Sequence, residues 1–228
     1  MAKNAMISAP QPEAAEAGAD VIRAGGNAID AAIACAFVQG VVDPLMTGIA
    51  GFGSVGVYDP TSKYHGYLDF HAPAPAATRP DMWSNLIESE TRDGWGFILK
   101  GYVNELGRQA IAVPGSLKAY SEVHRRFGKL PWAELLQPAI EWAEKGWVVR
   151  PHVHWFWTSD TGFGRLPIQH KLSHTASGRE LYCRPDGTPK VVGDLVVNRD
   201  YASTLRIIAR DGADAFYKGE IADRIDVD

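Results

Sequence analysis

The sequence predicts an α+β domain. Helical periodicity opens and closes the chain, a strand–turn–strand pattern lies between, and one alanine-rich helix carries almost no charge. A helix apolar all round is buried on most sides, so a large, closely packed body is expected around it.

The first helix opens at Pro12-Glu13, with Ala14, Ala17, Val21 and Ile22 able to share one face. Gly25 and Gly26 end it, and Asn27 caps the next helix. Asp30, three residues after the cap, can return a hydrogen bond as in a capping box. That second helix is expected over Ala28–Gln39 and carries Ala28, Ala31, Ala32, Ala34, Cys35 and Ala36. Glycines from Gly48 to Gly56 then permit a tight bend and close backbone approach. Strands follow at Val55–Tyr58 and Tyr64–Phe70, joined by the Asp59–Lys63 turn, with Tyr64, Gly66, Leu68 and Phe70 on one face.

His71–Pro80 reads as extended loop, because each proline pushes its predecessor out of helical conformation. No element is assigned over 81–108, apart from a turn at Arg92–Gly96. Ile111–Ser116 reads as a strand end entering a helix capped by Ser116, which runs to Phe127 and stops at Gly128. Trp132–Lys145 forms another helix, ended by Gly146. Residues 149–197 lack periodicity and read as a long irregular excursion. Asn198–Arg210 is a further amphipathic helix, and Gly219–Ile225 begins another. One domain is expected over 1–228.

Composition is that of a globular protein, with 46% hydrophobic and 22% charged residues. A net charge of −4 gives no reason to expect nucleic acid or an anionic membrane as a partner. No stretch is long and apolar enough to span a bilayer. The opening MAKNAMISAPQ lacks a basic segment followed by an apolar run, so no signal peptide is expected and cytoplasm is the default. Two cysteines, Cys35 and Cys183, do not make a disulfide framework, and Cys35 reads as a small core residue. Seven tryptophans, among them Trp83, Trp95, Trp147, Trp155 and Trp157, imply large apolar contacts or an aromatic-lined cleft.

Several motifs invite chemistry that their context does not support. Gly51-Phe-Gly-Ser-Val-Gly56 spells GxGxxG, yet dinucleotide binding needs it after a strand and at the start of a helix. Here the order is reversed. His152 with His154, and His170 with His174, have spacings that can serve a metal, but no HExxH or cysteine cluster accompanies them. They read as surface or packing histidines, and neither a metal nor another cofactor is expected. Ser116 lacks the glycine two residues on that a nucleophile elbow requires. Arg125-Arg126 reads as a solvated face. Asp69-Phe70-His71 ends a strand and enters a loop, where binding residues tend to sit.

Taken together, the residues resemble the gamma-glutamyltransferase family of N-terminal-nucleophile hydrolases. SAPQPEAAEAGADVIRAGGNAIDAAIACAFVQGVVDPLMTGIAGFGSVGVYD resembles the start of that family's large subunit. LDFHAPAP, VPGSLKAYSEVHRRFGKLPWAELLQPAIEWAEKGWVV and TLRIIARDGADAFYKGEIADRI match later blocks. The resemblance implies an αββα sandwich, of which this chain is the large-subunit part. It further implies a self-cleaving precursor whose small subunit begins with a threonine nucleophile. The expected partners are that small subunit, in a heterodimer or heterotetramer, and a small-molecule amide substrate. The chain opens Met1-Ala2 and ends at Asp228, so no catalytic nucleophile is assigned within it.

One departure bears on substrate. On the segment matching LDFHAPAP, the family's gamma-glutamyl enzymes carry an arginine that grips the substrate α-carboxylate, followed by an acidic residue. Here those positions are His71 and Ala72. Losing a charge-assisted clamp should cost about 1.5–3 kcal/mol of binding. Relatives acting on other amides, such as oxamate amidohydrolases and cephalosporin acylases, are therefore the alternative, and a non-catalytic binding relative is the contrasting one. The expected substrate-binding residues are His71, lining the acyl pocket, with Asp69 and Phe70 fixing that strand end.

Overall fold

A computed structural model of the chain describes residues 5–160 and 162–227; Met1, Ala2 and Asp228 lie outside them. In chain order it forms helices α1 (Pro12–Arg23) and α2 (Ala28–Val42), then strands β1 (Ser54–Asp59), β2 (Tyr64–Asp69), β3 (Ile87–Glu90) and β4 (Phe97–Leu99). Helices α3 (Ser116–Phe127) and α4 (Trp132–Lys145) and strand β5 (Trp147–Val148) follow. Next come helices α5 (Pro151–Thr158), α6 (Ile168–Leu172) and α7 (Ala176–Tyr182) and strand β6 (Leu195–Val196). Helices α8 (Arg199–Asp211), α9 (Asp214–Lys218) and α10 (Glu220–Val227) complete it. Among the described residues no helix is long and apolar enough to cross a membrane.

Over the 1–228 span, residues gather into two compact units. One comprises Met1–Ala72, Pro114–Trp147 and Val197–Asp228; the other comprises Pro73–Val113 and Val148–Val196.

The first unit is built on α2, which packs against α1 and α4, with α8 against α4. Ile33, Ala34, Phe37, Val38, Val41 and Val42 are buried. The Phe37 ring meets Tyr120 and Trp132 edge-on at 5.7 and 5.5 Å, an arrangement favoured by the ring quadrupoles. Trp132 is half-buried and donates its indole N–H to the Ile208 carbonyl at 3.0 Å, so its polar atom is satisfied. The capping box forms: Asn27 Oδ1 accepts from Ile29 and Asp30, and Asp30 accepts from the Asn27 backbone at 3.0 Å. Asp30 is fully buried and also accepts the backbone N–H groups of Lys129 and Leu130. Asn27 donates to the Phe127 carbonyl at 2.6 Å, and Lys129 Nζ to the Gly25 carbonyl at 2.7 Å. The hinge between α1 and α2 is thereby clasped to the turn after α3.

The α2 helix runs a turn further than its expected end. One side of it is open, which corrects the expectation for Cys35. Ala28 and Ala32 are exposed and Cys35 and Ala36 half-buried, facing a cavity of about 860 Å³ that residues 5–10 also line. Side chains this short leave that space open among the described residues.

β1 and β2 pair antiparallel, from Ser54 opposite Asp69 to Asp59 opposite Tyr64. The Asp59 carboxylate accepts from the backbone of Thr61 and Ser62 and so closes the expected turn. Val55, Val57 and Leu68 face inward, whereas Tyr58, His65 and Tyr67 are exposed, as period-two alternation requires.

The second unit holds β3 and β4, paired antiparallel in the 81–108 stretch where the sequence predicts no strand. They are four and three residues long, and β3 is exposed throughout, so neither displays a readable period. The 92–96 turn between them is held from outside by Arg165, whose guanidinium reaches both Asp93 oxygens at 3.0 and 3.2 Å. Glu105 accepts from the Leu166 backbone and pairs with Lys171. The 149–197 excursion contains α5, α6 and α7, with Trp157 fully buried against Tyr182 at 5.5 Å. The tryptophans divide between buried and exposed: Trp95 and Trp155 stand 87% and 64% exposed, Trp147 and Trp157 are buried.

Candidate active-site strand end

β2 ends at Asp69, but its pairing continues for one residue. Phe70 N–H donates to the Gly53 carbonyl at 3.0 Å, and Gly53 N–H returns a bond to the Phe70 carbonyl at 3.4 Å. The alternation of the strand then decides the side chains. Phe70 turns inward, where its ring meets Tyr120 edge-on at 6.3 Å. Asp69 and His71, two residues apart, turn outward together, and both side chains are more than half exposed.

A third segment fastens this strand end. The Gly51 carbonyl accepts the backbone N–H groups of Gly115 and Ser116 at 2.9 and 3.0 Å, and the Ile49 carbonyl accepts that of Leu117. The first N–H groups of α3 are therefore satisfied by the glycine loop. This explains the run from Gly48 to Gly56 without a dinucleotide: its carbonyls dock against a helix start.

Ser116 needs a correction. It is the first residue of α3, the cap position belongs to Gly115, and no side chain caps the helix. Ile111–Pro114 is not strand. The reason is steric: a Cβ on residue 115 would lie 2.4 Å from the Phe70 carbonyl oxygen, so a glycine must occupy the turn and Ser116 is displaced into the helix. Ser116 is buried, and its hydroxyl is hydrogen-bonded to Tyr120. Burial pushes the Tyr120 phenol up, with that hydrogen bond opposing the shift.

On the exposed side, the Asp69 carboxylate holds His71 twice. Asp69 Oδ1 accepts the His71 backbone N–H at 3.0 Å and lies 2.8 Å from ring Nδ1. The backbone bond first, and the ring second, hold the Asp69 carboxyl below the usual carboxylate range. Phe52 packs on the imidazole, ring centroids 5.7 Å apart and tilted by 42°. Phe52 also lines a cavity of about 450 Å³ with Leu45, Gly48, Ser116 and Tyr120. Sequence reasoning misses Phe52: a phenylalanine between two glycines shows no period, and its contact with His71 spans strands.

Of the other histidines singled out in the sequence, His170 and His174 are exposed, and His152 and His154 have neighbours. His152 stacks on Trp155 at 6.2 Å, and His154 Nδ1 lies 3.3 Å from the Lys190 carbonyl. Among the described residues, no three His, Cys, Asp or Glu side chains gather in a way that could hold a metal ion.

Comparison with known proteins gives this geometry its context. The profile of the Gamma-glutamyltranspeptidase family matches residues 14–228. A glutathione hydrolase proenzyme of Bacillus subtilis is 36% identical over 224 residues, covering 96% of this chain and 34% of that protein. The acylase ACY 1 proenzyme of a Pseudomonas species is 37% identical over 222 residues, covering 95% of this chain and 36% of that one. This chain thus spans about a third of the length of these relatives. Among solved structures, Helicobacter pylori gamma-glutamyltranspeptidase superposes with a TM-score of 0.83 at 27% identity, covering 99% of this chain and 59% of that one. Cephalosporin acylase from Bacillus halodurans gives 0.71 at 30% identity, with 94% and 37% covered. The fold is accordingly the αββα type of N-terminal-nucleophile hydrolases, to which these residues contribute the large-subunit part. By its profile, its relatives and its fold, the chain belongs to the gamma-glutamyltranspeptidase family.

Proposed function

We propose that this chain is the large-subunit part of an amide hydrolase or acyl transferase, with His71 lining the acyl pocket. The nucleophile lies on a small subunit cut from the same precursor, the two forming a heterodimer or heterotetramer. There a freed N-terminal threonine attacks the amide carbonyl while its own α-amine takes the proton. Backbone N–H groups hold the oxyanion, and water or an amine then accepts the acyl group. The observation that carries this reading is the family match over residues 14–228, together with an Asp69–His71 pair left exposed at the strand end. Two relatives named as proenzymes support the precursor. Intact mass and N-terminal sequencing of the complete protein test it. Two polypeptides with a Thr, Ser or Cys at the new terminus are expected; an uncut protein without such a residue would mean a binding relative.

A second reading concerns the substrate. His71 and Ala72 stand where the gamma-glutamyl enzymes have an arginine and an acidic residue, and the acylase is as similar to this chain as the glutathione hydrolase. An amide other than a γ-glutamyl compound is favoured on both grounds. Cytoplasm is the proposed location, supported by two free thiols, Cys35 and Cys183, of the kind a reducing compartment preserves. Cell fractionation checks it.

A further inference from the structure

We infer that Asp69 is a positioning residue: it fixes His71 as the Nδ1–H tautomer, so that Nε2 meets the substrate as a hydrogen-bond acceptor. The pocket then selects an amide bearing an N–H or O–H donor at that point over one bearing a carboxylate. This selection rests on His71 lining the acyl pocket; the tautomer does not.

The derivation starts from hydrogen-bond inventory. An ionised carboxylate accepts and cannot donate. Asp69 Oδ1 lies 2.8 Å from His71 Nδ1, so the proton between them sits on nitrogen. In a neutral imidazole the other nitrogen must then carry the lone pair. Nε2 has no hydrogen-bond partner among the described residues, and the side chain is 61% exposed. The same oxygen accepts the His71 backbone N–H, which ties the carboxylate to the strand end and stops it from rotating away. Phe52, packed on the ring, resists a flip that would swing Nδ1 away from Asp69 and put Cδ2 in its place. Two contacts on one oxygen and one on the ring face thus fix which nitrogen is offered.

The consequence is an inverted clamp. A guanidinium presents only donors and draws in a carboxylate. A lone pair on Nε2, with the Asp69 charge behind it, repels a carboxylate and attracts an amide N–H, a hydroxyl or an ammonium. The chemical class implied is a small amide whose acyl group ends in a carboxamide or hydroxyl at this point.

The experiment uses the complete processed enzyme and two matched anilides, a γ-glutamyl anilide and its α-carboxamide counterpart. At about pH 8 the carboxamide should have a KM about tenfold lower, the worth of one hydrogen bond set against one repulsion. Asp69→Ala should raise the carboxamide KM about tenfold with kcat and self-processing little changed, because the ring is freed. Asp69→Asn keeps a carbonyl oxygen for both N–H groups and should recover most of that loss. A merely structural Asp69 would be rescued by Asn as well, so the tautomer in the Asp69→Ala variant separates the roles: loss of the Nδ1–H preference supports positioning, and its retention overturns it. Nitrogen-15 NMR of the parent enzyme reads the tautomer without any variant: Nδ1 protonated supports the inference, and Nε2 protonated overturns it. A lower KM for the carboxylate anilide in the parent overturns the selection. If His71→Ala leaves both KM values unchanged, the pocket reading itself fails and the selection falls with it, which the NMR result keeps separate from the tautomer.

Discussion

Gly115 stands so close to Phe70 that a Cβ added to it would lie 2.4 Å from the Phe70 carbonyl oxygen. Backbone meets backbone there, with no flexible side chain to yield. Gly115→Ala should therefore push the strand end that carries His71, lowering stability by about 1–3 kcal/mol. The KM of the complete enzyme should rise as well. Gly56→Ala, at a glycine with open space around it, is the control and should change stability by no more than about 0.5 kcal/mol. Urea denaturation and steady-state kinetics compare the two.

Asp30→Ala should be among the more damaging single changes in the chain. The carboxylate is fully buried and accepts from Asn27, Lys129 and Leu130. Removing it strands those N–H groups, each costing about 1–3 kcal/mol when left buried and unpaired. Asp30→Asn retains one acceptor oxygen and should lose less. Thermal unfolding of both variants gives the order.

If His71 lines the acyl pocket as proposed, His71→Arg supplies the arginine that the resemblance gives gamma-glutamyl enzymes at this position. It should lower the KM for a γ-glutamyl anilide about tenfold, as a charge-assisted hydrogen bond predicts. A flat response would locate the substrate preference elsewhere in the pocket.

The Arg184–Asp194 pair makes stability depend on pH in a defined window. Arg184 Nε and Nη2 bond the two Asp194 oxygens at 2.8 and 3.0 Å, and the Val191 backbone adds a third bond. Arg184 first, and Val191 second, lower the Asp194 carboxyl from 3.8 to about 2. A depressed carboxylate stabilises the folded state above its unfolded pKa, and that contribution is lost as pH falls through the folded one. Arg184→Ala should therefore be less stable than the parent near neutrality. The gap should close as pH drops from 3.8 toward about 2. The pair is exposed, so added salt should narrow the gap too.

The helical framework is legible because its signals are local. Asn27 with Asp30, the glycine stops at Gly128 and Gly146, and the spacing in α1 and α4 are each written within a few residues. Asp69 and His71 on one side of a strand follow from alternation alone. The remainder depends on chain segments far apart in sequence. Whether Gly115 or Ser116 takes the cap is decided by the Phe70 carbonyl, and Phe52 reaches His71 only because Gly53 pairs with Phe70. Cys35 reads as core from its neighbours, whereas burial there is set by what the small side chains leave unfilled.

The clasp on Asp30 also orders events during synthesis. Its partners Lys129 and Leu130 are translated about a hundred residues later. Until the ribosome has released them, the nascent helical hairpin carries a carboxylate that cannot be sequestered without loss. The amino-terminal helices can complete this burial only once the chain has delivered its counterpart.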